Sequence, residues 1–591
     1  MKKWKILNES RIKNPHFAKA SRGKHESGIK GITKILLSNR GIKTKKEIED
    51  FLNPSLENTT VKSVGIDSKE LKKALAKIQK AIKNKEQIVV FGDYDVDGIS
   101  GTAILWETLR LSADWRIAQG KPYENVFPYI PHRIDEGYGL SIKGIQNVQD
   151  KYRNVKLIIT VDNGIVANKA VDFANEQGID VIITDHHVLS KTKPKALSIV
   201  HTTKLCGTGV AYLLSRVILN SFQDPKRESK KMLKQVQHDN LNKSHLELVA
   251  LATVADLVPL KGANRTLLKF GLEALKKTKR IGLLELFKEA GLEKNSIGVY
   301  EIGHMIAPRL NAMGRLEYAM DSLRLICTNN QKRAEGLARL LGSTNQERQS
   351  LTLDSTLHAI QTIRDKKQKI RKLLFLSNES YEQGVIGLIA GKLVEEFYRP
   401  AIVVSKGVKF SKASARSVSG FNIIEFIRGA LELLVDAGGH PMAAGFTVET
   451  VKLLELQKIL EDRAELALNK DLLTRSLKID CELPLSFIDL NLYESLQKLA
   501  PFGMGNPEPT FISKNVAVED MRLVGAEGKH IKLKFRIQNS EFRIDGIGFG
   551  MGEMSAKIRI GNKVDIVYTI DENEWNGETR LQLKIKDLRK V

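Results

Sequence analysis

From residue 87 to about residue 220, short apolar segments alternate with stretches of helical spacing. Five of these segments have the length and near-continuous apolar character of buried strands, namely 88–91, 126–130, 157–161, 181–184 and 197–200. Ahead of them, residues 68–83 carry one apolar stripe at helical spacing, with Asp67 placed as an N-cap. This alternation predicts an α/β domain with a parallel sheet covered on both faces.

The pattern changes four times along the chain. We expect a mixed N-terminal segment, the α/β domain, a charged helical connector, a second α/β domain and a β-rich C-terminal domain, over residues 1–66, 67–260, 261–350, 351–455 and 470–591 respectively. In the last of these, residues 531–537 alternate apolar side chains with Lys532, Lys534 and Arg536. Short alternating strands between Gly-rich turns predict a small barrel, and its basic face would suit a polyanion.

Charge narrows the range of partners. The 591 residues include 93 Lys and Arg against 69 Asp and Glu, a formal charge of +24. A chain this basic is expected to bind a polyanion, most often nucleic acid. The three cysteines form no CxxC pair, which fits a reducing cytoplasm better than a disulfide framework. The opening residues lack the apolar stretch of a signal peptide, and we expect a cytoplasmic protein with no membrane association.

Three aspartates at alternate positions follow the first predicted strand, in Gly92-Asp93-Tyr94-Asp95-Val96-Asp97-Gly98. We expect the strand to run out into a loop here, with a helix over 102–111. Like charges at this spacing repel one another, and a bound divalent cation is the usual counter-charge. A solvated acidic turn is the alternative, since Asp and Gly are common in turns. The heptapeptide alone leaves both interpretations open.

Further Asp and His residues follow other apolar runs. Asp162-Asn163-Gly164 comes after residues 157–161, Asp185-His186-His187 after 181–184, and Asp256 after 248–255. Ligands of parallel sheets bind at the carboxyl ends of strands, so these side chains could converge on one rim. Carboxylates with one imidazole suit Mn²⁺ or Mg²⁺ better than a soft metal. Four such groups on one rim favour a metal site over a surface turn.

Taken in order, these four groups resemble the motifs of the DHH phosphoesterases. Within that superfamily the chain is similar to the exonucleases that degrade single-stranded DNA, through five further segments, 138–140, 308–316, 414–417, 438–440 and 501–507. The resemblance implies a parallel-sheet DHH catalytic domain, a second α/β DHH-associated domain that binds substrate and a C-terminal OB-fold barrel. It also implies two metal ions, 5′→3′ hydrolysis of single-stranded DNA to mononucleotides, and a place in DNA repair and recombination.

Roles for individual residues follow from the same resemblance. The metal ligands are expected to be Asp93, Asp95, Asp97, Asp162, His186 and Asp256, with Asp93 either a ligand or a neighbour of the ligands. The catalytic residues are His187, which would contact the phosphate or protonate the leaving oxygen, and Asp162, which would bridge the two ions. Contacts to substrate phosphates are expected from Arg133, Arg309, Asn311, Ser414, Arg416, Gly438, Gly439 and His440.

Two of the chain's departures from the family pattern concern an insertion and an expected phosphate contact. Residues from about 221 to 245 are polar and without apolar spacing, which predicts an inserted surface loop. Glu382 stands where relatives commonly have a histidine, so a phosphate contact at that position is in doubt. We expect a monomer, and the implied protein partners are a single-stranded-DNA-binding protein and a helicase.

Two other classes of function stay open. The same metal site could serve a phosphoesterase that acts on short oligonucleotides, cyclic dinucleotides or pyrophosphate. The chain could also be a non-catalytic replication scaffold. The predicted barrel and the net charge argue against the first, and the retained motif acids argue against the second.

Overall fold

The computed structural model describes residues 2–8, 22–116, 123–189, 192–221, 244–365, 370–537, 541–575 and 578–591. Most of the predicted inserted loop at about 221–245 therefore lies outside the described residues. Within the described ranges, no helix combines the length and the apolar character that crossing a membrane requires.

The chain begins with a short strand and two helices, β1 (Lys3–Ile6), α1 (Arg22–Asn39) and α2 (Lys45–Leu52). Helix α2 starts at a capping box, in which the Thr44 hydroxyl accepts from the backbone N–H of Glu47 and the Glu47 carboxylate accepts from that of Thr44. Strand β1 pairs in parallel with β12 (Ser476–Ile479), near the other end of the chain.

The predicted parallel sheet is confirmed. Its strands are β2 (Gln87–Gly92), β3 (Val126–Tyr129), β4 (Val155–Val161), β5 (Asp180–Asp185) and β6 (Ser198–His201), in the order β3-β2-β4-β5-β6. All four pairings are parallel. The helices that accompany it are α3 (Ser68–Lys83), α4 (Val96–Arg116), α5 (Ile142–Lys151), α6 (Asn168–Glu176), α7 (Gly207–Ser221) and α8 (Leu246–Ala255). Continuous apolar strands are buried because helices cover the sheet.

The N-cap of α3 is also confirmed, since Asp67 accepts from the backbone N–H of Lys69. Glu70, three residues on, does not complete a capping box. Its carboxylate accepts instead from the backbone N–H of Ile199 on β6 and from Lys73. This acid therefore ties α3 to the edge strand of the sheet rather than closing its own helix end.

A helical stretch follows, as predicted. It contains α9 (Gly262–Lys276), α10 (Ile281–Glu289), α11 (Val299–Glu301), α12 (Ala307–Leu316), α13 (Met320–Cys327) and the long α14 (Gln331–Asp365). A π-helical turn, Ile302–Ile306, joins α11 to α12. Helix α14 runs across residue 350, where the sequence pattern placed a boundary.

The second sheet is the predicted second α/β element. It has five strands, β7 (Leu374–Asn378), β8 (Ala401–Ser405), β9 (Phe410–Arg416), β10 (Leu434–His440) and β11 (Ala443–Glu449), in the order β10-β11-β9-β8-β7. Only β7 and β8 pair in parallel. Its helices are α15 (Ile386–Phe397), α16 (Ile423–Arg428) and α17 (Leu453–Ala467).

The C-terminal strands close into the predicted barrel. After β12 come β13 (Cys481–Glu482), α18 (Leu490–Gln497), β14 (Phe511–Val524), β15 (His530–Arg536), β16 (Arg543–Gly548), β17 (Lys563–Trp575) and β18 (Glu578–Lys590). The ring runs β14-β15-β16-β18-β17 and closes where β17 pairs with β14. On β15 the apolar side chains are buried and the basic ones face outward, as their alternation predicts.

The chain forms two compact units. We call residues Met1–Ser55, Pro259–Arg265 and Ser476–Val591 the barrel unit, and Leu56–Val258 with Thr266–Arg475 the two-sheet unit. In the barrel unit, apolar residues of α1 such as Ile32, Leu36 and Leu37 belong to the same core as Phe535 of the barrel. The sequence pattern gave no indication of this packing. The five-segment division stays a prediction.

Arg265 is a buried cation in the barrel unit, only 1% exposed. Its guanidinium donates to the carbonyls of Phe51, Lys498, Leu499 and Ala500 at 2.7–3.2 Å and lies 3.8 Å from the Phe51 ring centroid. Burial lowers its pKa to about 10. One side chain thus satisfies four carbonyl oxygens drawn from two distant chain segments.

Replacement of Arg265 by Met should destabilise the barrel unit by about 3 kcal/mol or more, because buried carbonyls lose their donors. Urea unfolding followed by circular dichroism measures the loss. The matched control is Arg522→Met on β14, where an exposed arginine should change stability by less than about 0.5 kcal/mol. Equal effects of the two changes would contradict this role for Arg265.

Candidate active site

The heptapeptide is a helix start as well as a strand end. The expected loop is only residues 93–95, and the helix predicted over 102–111 begins earlier, at Val96. Asp95 ends the preceding turn, and its Oδ1 accepts from the backbone N–H groups of Asp97 and Gly98 at 3.0 and 3.1 Å. Gly98 packs so closely on Asp93 that a Cβ on Gly98 would lie 2.5 Å from the backbone nitrogen of Asp93. Helix start and strand end together crowd the three aspartates.

The carboxylate of Asp97 is fixed by the start of another helix. Its two oxygens accept from the backbone N–H groups of Gly207 and Thr208, the first residues of α7, each at 2.7 Å. Unpaired N–H groups at a helix N-terminus favour an anion. Asp97 is therefore held in one orientation at the carboxyl end of the sheet.

Two residues that follow other strands face Asp97. Asp162, directly after β4, has a left-handed φ of 63°, and His186 follows β5. The His186 Nε2 atom lies 3.1 Å from Asp162 Oδ1 and 3.8 Å from Asp97 Oδ2. The structure therefore brings Asp97, Asp162 and His186 together at one rim of the sheet, where the sequence predicts that they meet.

Asp256 reaches the same point by a different route. The apolar run before it is not a strand but the buried helix α8, and Asp256 is its C-cap. Its Oδ2 lies 3.6 Å from His186 Nε2. Helix and strand both give near-continuous apolar sequence when fully buried, which is why the pattern did not separate them.

The acids and the imidazole form two clusters with a close link between them. Asp97, His186 and Asp256 make one, Asp93, Asp95 and Asp162 the other, and Asp162 also lies within ligand reach of His186. Four of their buried atoms have no hydrogen-bond partner among the described residues, namely Asp93 Oδ1, Asp162 Oδ1, His186 Nε2 and Asp256 Oδ2. Three buried carboxylate oxygens and one imidazole nitrogen that lack hydrogen-bond partners are suitable ligand atoms for a hard divalent cation.

Electrostatics point the same way. Burial, and then the charge of neighbouring aspartates, raises the pKa of Asp93, Asp95 and Asp162 above the usual range and that of Asp256 to about 9. Burial lowers the pKa of His186. Carboxylates crowded this way keep their charge only if a cation sits among them.

His187 is held by Asp185 beside the clusters, with its Nδ1 also 3.9 Å from Asp162 Oδ1. Its Nδ1 lies 2.8 Å from Asp185 Oδ1, which also accepts from the backbone N–H groups of His186 and His187. Burial favours the neutral ring, but the hydrogen bond and charge of Asp185 raise the pKa of His187. Its other nitrogen, Nε2, lies 3.2 Å from the Tyr138 hydroxyl.

The second sheet contributes two of the predicted phosphate contacts. Ser414 and Arg416 lie on one face of β9, and Arg416 donates to Ser414 Oγ at 3.1 Å. Gly387, near the start of α15, leaves room for them, since a Cβ there would lie 3.0 Å from both side chains. A hydroxyl, a guanidinium and a helix start thus adjoin one small space.

Arg416 belongs to a group of four arginines with Arg133, Arg315 and Arg348. Burial first, and then Arg133, Arg348 and Arg416, lower the pKa of Arg315 to about 10, and burial with Arg133 lowers that of Arg416. Arg133 also lies over the Tyr94 ring, 4.9 Å from its centroid. Among the described residues none of the four has a carboxylate partner within 4.0 Å. Crowded guanidinium groups that form no ion pair of their own favour an anionic ligand.

Other predicted contacts have partners of their own. Arg309 donates to Glu289 at 2.5 Å and to the Met305 carbonyl, and Asn311 Oδ1 accepts from the backbone N–H of Val96. Gly438, Gly439 and His440 end the edge strand β10, and the His440 ring stacks on His187 with centroids 5.9 Å apart. Asn311 therefore holds the end of the heptapeptide through a hydrogen bond to Val96. The contact between His440 and His187 connects the second sheet to the edge of the parallel sheet that carries the acidic clusters.

Sequence reasoning missed four residues of this site. Asp185 was seen in its motif but given no role, although it orients His187. Tyr138 and Arg315 lay within segments that carried the resemblance, and Arg348 lies on α14 in a stretch with no motif. The resemblance of the segments around Tyr138 and Arg315 was a signal that could have identified these two residues. No motif marks Arg348.

Comparison with known proteins places these features in a family. Residues 87–253 match the DHH family, N-terminal domain, residues 370–466 match the DHHA1 domain, and residues 479–587 match the RecJ OB domain. The three matches fall on the parallel sheet, the second sheet and the barrel in turn.

Relatives and solved structures agree. The single-stranded-DNA-specific exonuclease RecJ of Bacillus subtilis is 35% identical over 88% of this chain, which spans 63% of that protein. That of Thermus thermophilus is 31% identical, over 88% of this chain and 71% of the relative. The crystal structure of Thermus thermophilus RecJ with Mn²⁺ superposes with a TM-score of 0.77 at 27% identity, covering 100% of this chain and 80% of that one. Its Mg²⁺ complex gives 0.72 at 26% identity, covering 100% and 78%. This chain belongs to the RecJ family.

Proposed function

We propose that this protein is a metal-dependent exonuclease that hydrolyses single-stranded DNA from the 5′ end to mononucleotides, in DNA repair and recombination. The observation that carries the proposal is the pair of acidic clusters that meet at Asp162, with orphaned ligand atoms, beside a group of uncompensated arginines. The names of relatives support the same activity and the same metals.

The residues proposed to hold two divalent cations, Mn²⁺ or Mg²⁺, are Asp93, Asp95, Asp97, Asp162, His186 and Asp256. Bound there, the ions would supply an activated water and neutralise charge that develops on the phosphate. Asp162 belongs to one cluster and its Oδ1 lies 3.1 Å from His186 Nε2 of the other, so we assign it as the bridge between them. The amides of α7 hold the Asp97 carboxylate in one orientation at the site.

His187 is the proposed proton donor. Asp185 holds its Nδ1, which leaves Nε2 to face the substrate side with Tyr138. A charged imidazolium there can protonate the 3′ oxygen of the terminal nucleotide as the bond between that oxygen and the phosphorus breaks. The substrate phosphate would lie between this ring and the metal centre.

A terminal 5′-phosphate is the anion we assign to Arg133, Arg315, Arg348, Arg416 and Ser414. Guanidinium forks bind phosphate bidentately and so fix the register of the strand over the metal centre. His440, Gly438 and Gly439 would contact the next phosphates. Arg309 keeps its proposed role only if it leaves Glu289.

The barrel is proposed to extend the DNA track through Lys532, Lys534 and Arg536. We also propose that the protein acts as a cytoplasmic monomer. A helicase or a single-stranded-DNA-binding protein, either of which would present single strands, is the kind of partner this activity requires. The functional division into residues 1–66, 67–260, 261–350, 351–455 and 470–591 is part of the same proposal.

The metal centre is tested by Asp162→Asn, which keeps the shape and removes the charge. Activity should fall below detection, and electron paramagnetic resonance of added Mn²⁺ should show at least one ion fewer bound per chain. In EDTA the variant should melt above wild type, because a raised pKa means that burying this carboxyl opposes folding at neutral pH. The exposed Asp150→Asn on α5 is the control. Near wild-type cutting by folded Asp162→Asn would refute the assignment.

End selection is tested with strands labelled at the 5′ or the 3′ end. Wild type should prefer a 5′-phosphate to a 5′-hydroxyl, and Arg416→Ala should reduce that preference roughly tenfold or more through loss of a charged hydrogen bond. Arg428→Ala, which removes an exposed ion pair with Glu425, should leave it unchanged. Release that starts at the 3′ end would refute the polarity. Efficient cutting of dinucleotides alone would favour the small-substrate class.

The barrel is tested by replacing Lys532, Lys534 and Arg536 together with Ala. For single strands, the slope of log affinity against log salt should become shallower by about 0.7 for each phosphate that is no longer neutralised, or by about 2 for all three. Cleavage of very short oligonucleotides should be unaffected, since the proposed role of the barrel is to add contacts to long strands. Equal losses on long and short strands would show that these side chains serve stability instead.

A further inference from the structure

Two of the helices that carry proposed metal ligands are joined again at their far ends. Helix α4 has Asp97 in its first turn, and α8 ends at Asp256, so their carboxylates meet at His186. Ten residues beyond Asp97, Glu107 of α4 lies beside His245, the residue before α8, with Nε2 to Oε2 at 2.9 Å. At 1.5 Å per residue this second junction is about 15 Å along α4 from the first.

Arg280 occupies that far junction. Its Nη1 and Nη2 donate to the two oxygens of Glu107, each at 2.7 Å, and its Nε donates to Glu247 of α8 at 2.7 Å. All three side chains are largely buried, with exposed fractions of 13–21%. One guanidinium thus grips a carboxylate from each of the two helices.

The rest of the contact between the helices lacks this directionality. Helix α8 has eight buried residues out of ten, of which only Thr253 is polar. Apolar packing resists separation of two helices, but it is non-directional and fixes their axial register weakly. A bidentate guanidinium fork is geometrically specific, and setting register is the best attested use of a buried ionic group.

Register matters here because helices are rigid along their axes. A slide of α8 past α4 would change the separation of Asp97 and Asp256. Metal–ligand distances are acceptable only within about 0.2 Å. A contact that prevents such a slide would therefore tune metal affinity from about 15 Å away.

We propose that Arg280 is a positioning residue for the metal centre, which it serves by clamping Glu107 of α4 to Glu247 of α8 and so fixing the spacing of Asp97 and Asp256. The clamp rests on the proposed function, since it acts through the proposed ligands. It touches neither substrate nor metal.

The test is Glu107→Gln, which keeps the side-chain shape but leaves an amide nitrogen facing the guanidinium. The readouts are Mn²⁺ affinity by electron paramagnetic resonance and melting temperature in EDTA. Mn²⁺ should bind about tenfold more weakly, the lower end of the effect of changes outside the ligand shell. Arg280→Lys, which keeps the charge and loses the fork, should act in the same direction and serves if Glu107→Gln fails to fold.

The matched control is Glu86→Gln, which breaks the partly buried Lys77–Glu86 pair between α3 and the start of β2. It should lower the melting temperature and leave Mn²⁺ affinity within about twofold of wild type. Wild-type affinity in both Glu107→Gln and Arg280→Lys, with melting temperatures lowered as in the control, would reduce the clamp to ordinary stabilisation and overturn the proposal. Wild-type protein that binds no Mn²⁺ would overturn the metal centre and the clamp with it.

Discussion

Mutual repulsion among buried carboxylates is the constraint around which the two-sheet unit is arranged. Asp93, Asp95, Asp162 and Asp256 all have raised pKa values, because burial and neighbouring acids oppose their ionisation. Placing these four aspartates close together lowers the stability of the folded chain, so stability alone does not explain the arrangement. Their presence together makes sense if the site is completed by cations, in which case the cost of assembling it is offset when metal binds.

Much of the surrounding structure holds these acids in place. The amides of α7 fix Asp97, the amides of α4 fix Asp95, and Asn311 caps the start of α4 from the helical connector. Asp185 does not join the acidic clusters; it orients His187 and has a lowered pKa, since hydrogen bonds from His187 and the backbone outweigh its burial. Residues of one motif thus separate into proposed ligands and supporting residues according to what each side chain contacts.

The sequence could predict what is local and periodic. Apolar strands followed by Asp or His, with the rule that parallel strands present their carboxyl ends at one edge, were enough to bring Asp97, Asp162 and His186 together. The same reasoning placed the N-cap of α3 and the outward basic face of β15 correctly. It left the type of the element before Asp256 open, because a fully buried helix has no polar face to reveal its period.

The sequence pattern could not predict residues whose partners lie far away along the chain. Arg265 contacts carbonyls more than 200 positions away in both directions, Arg348 joins the arginine group from a helix without a motif, and α1 packs into the core of a barrel formed by the other end of the chain. No spacing along the chain encodes such pairs.

Directional polar contacts and apolar packing therefore do different work in this protein. Packing of continuous Val, Ile and Leu runs selects the layered architecture, but many small displacements of one helix against another would preserve it. Hydrogen-bonded charges remove that freedom at particular points: Glu70 between α3 and β6, Asp97 between α4 and α7, and Arg280 between α4 and α8. Since α4 takes part in two of these, its position is specified at both ends, and the acids of its first turn lie where the two sets of contacts place them.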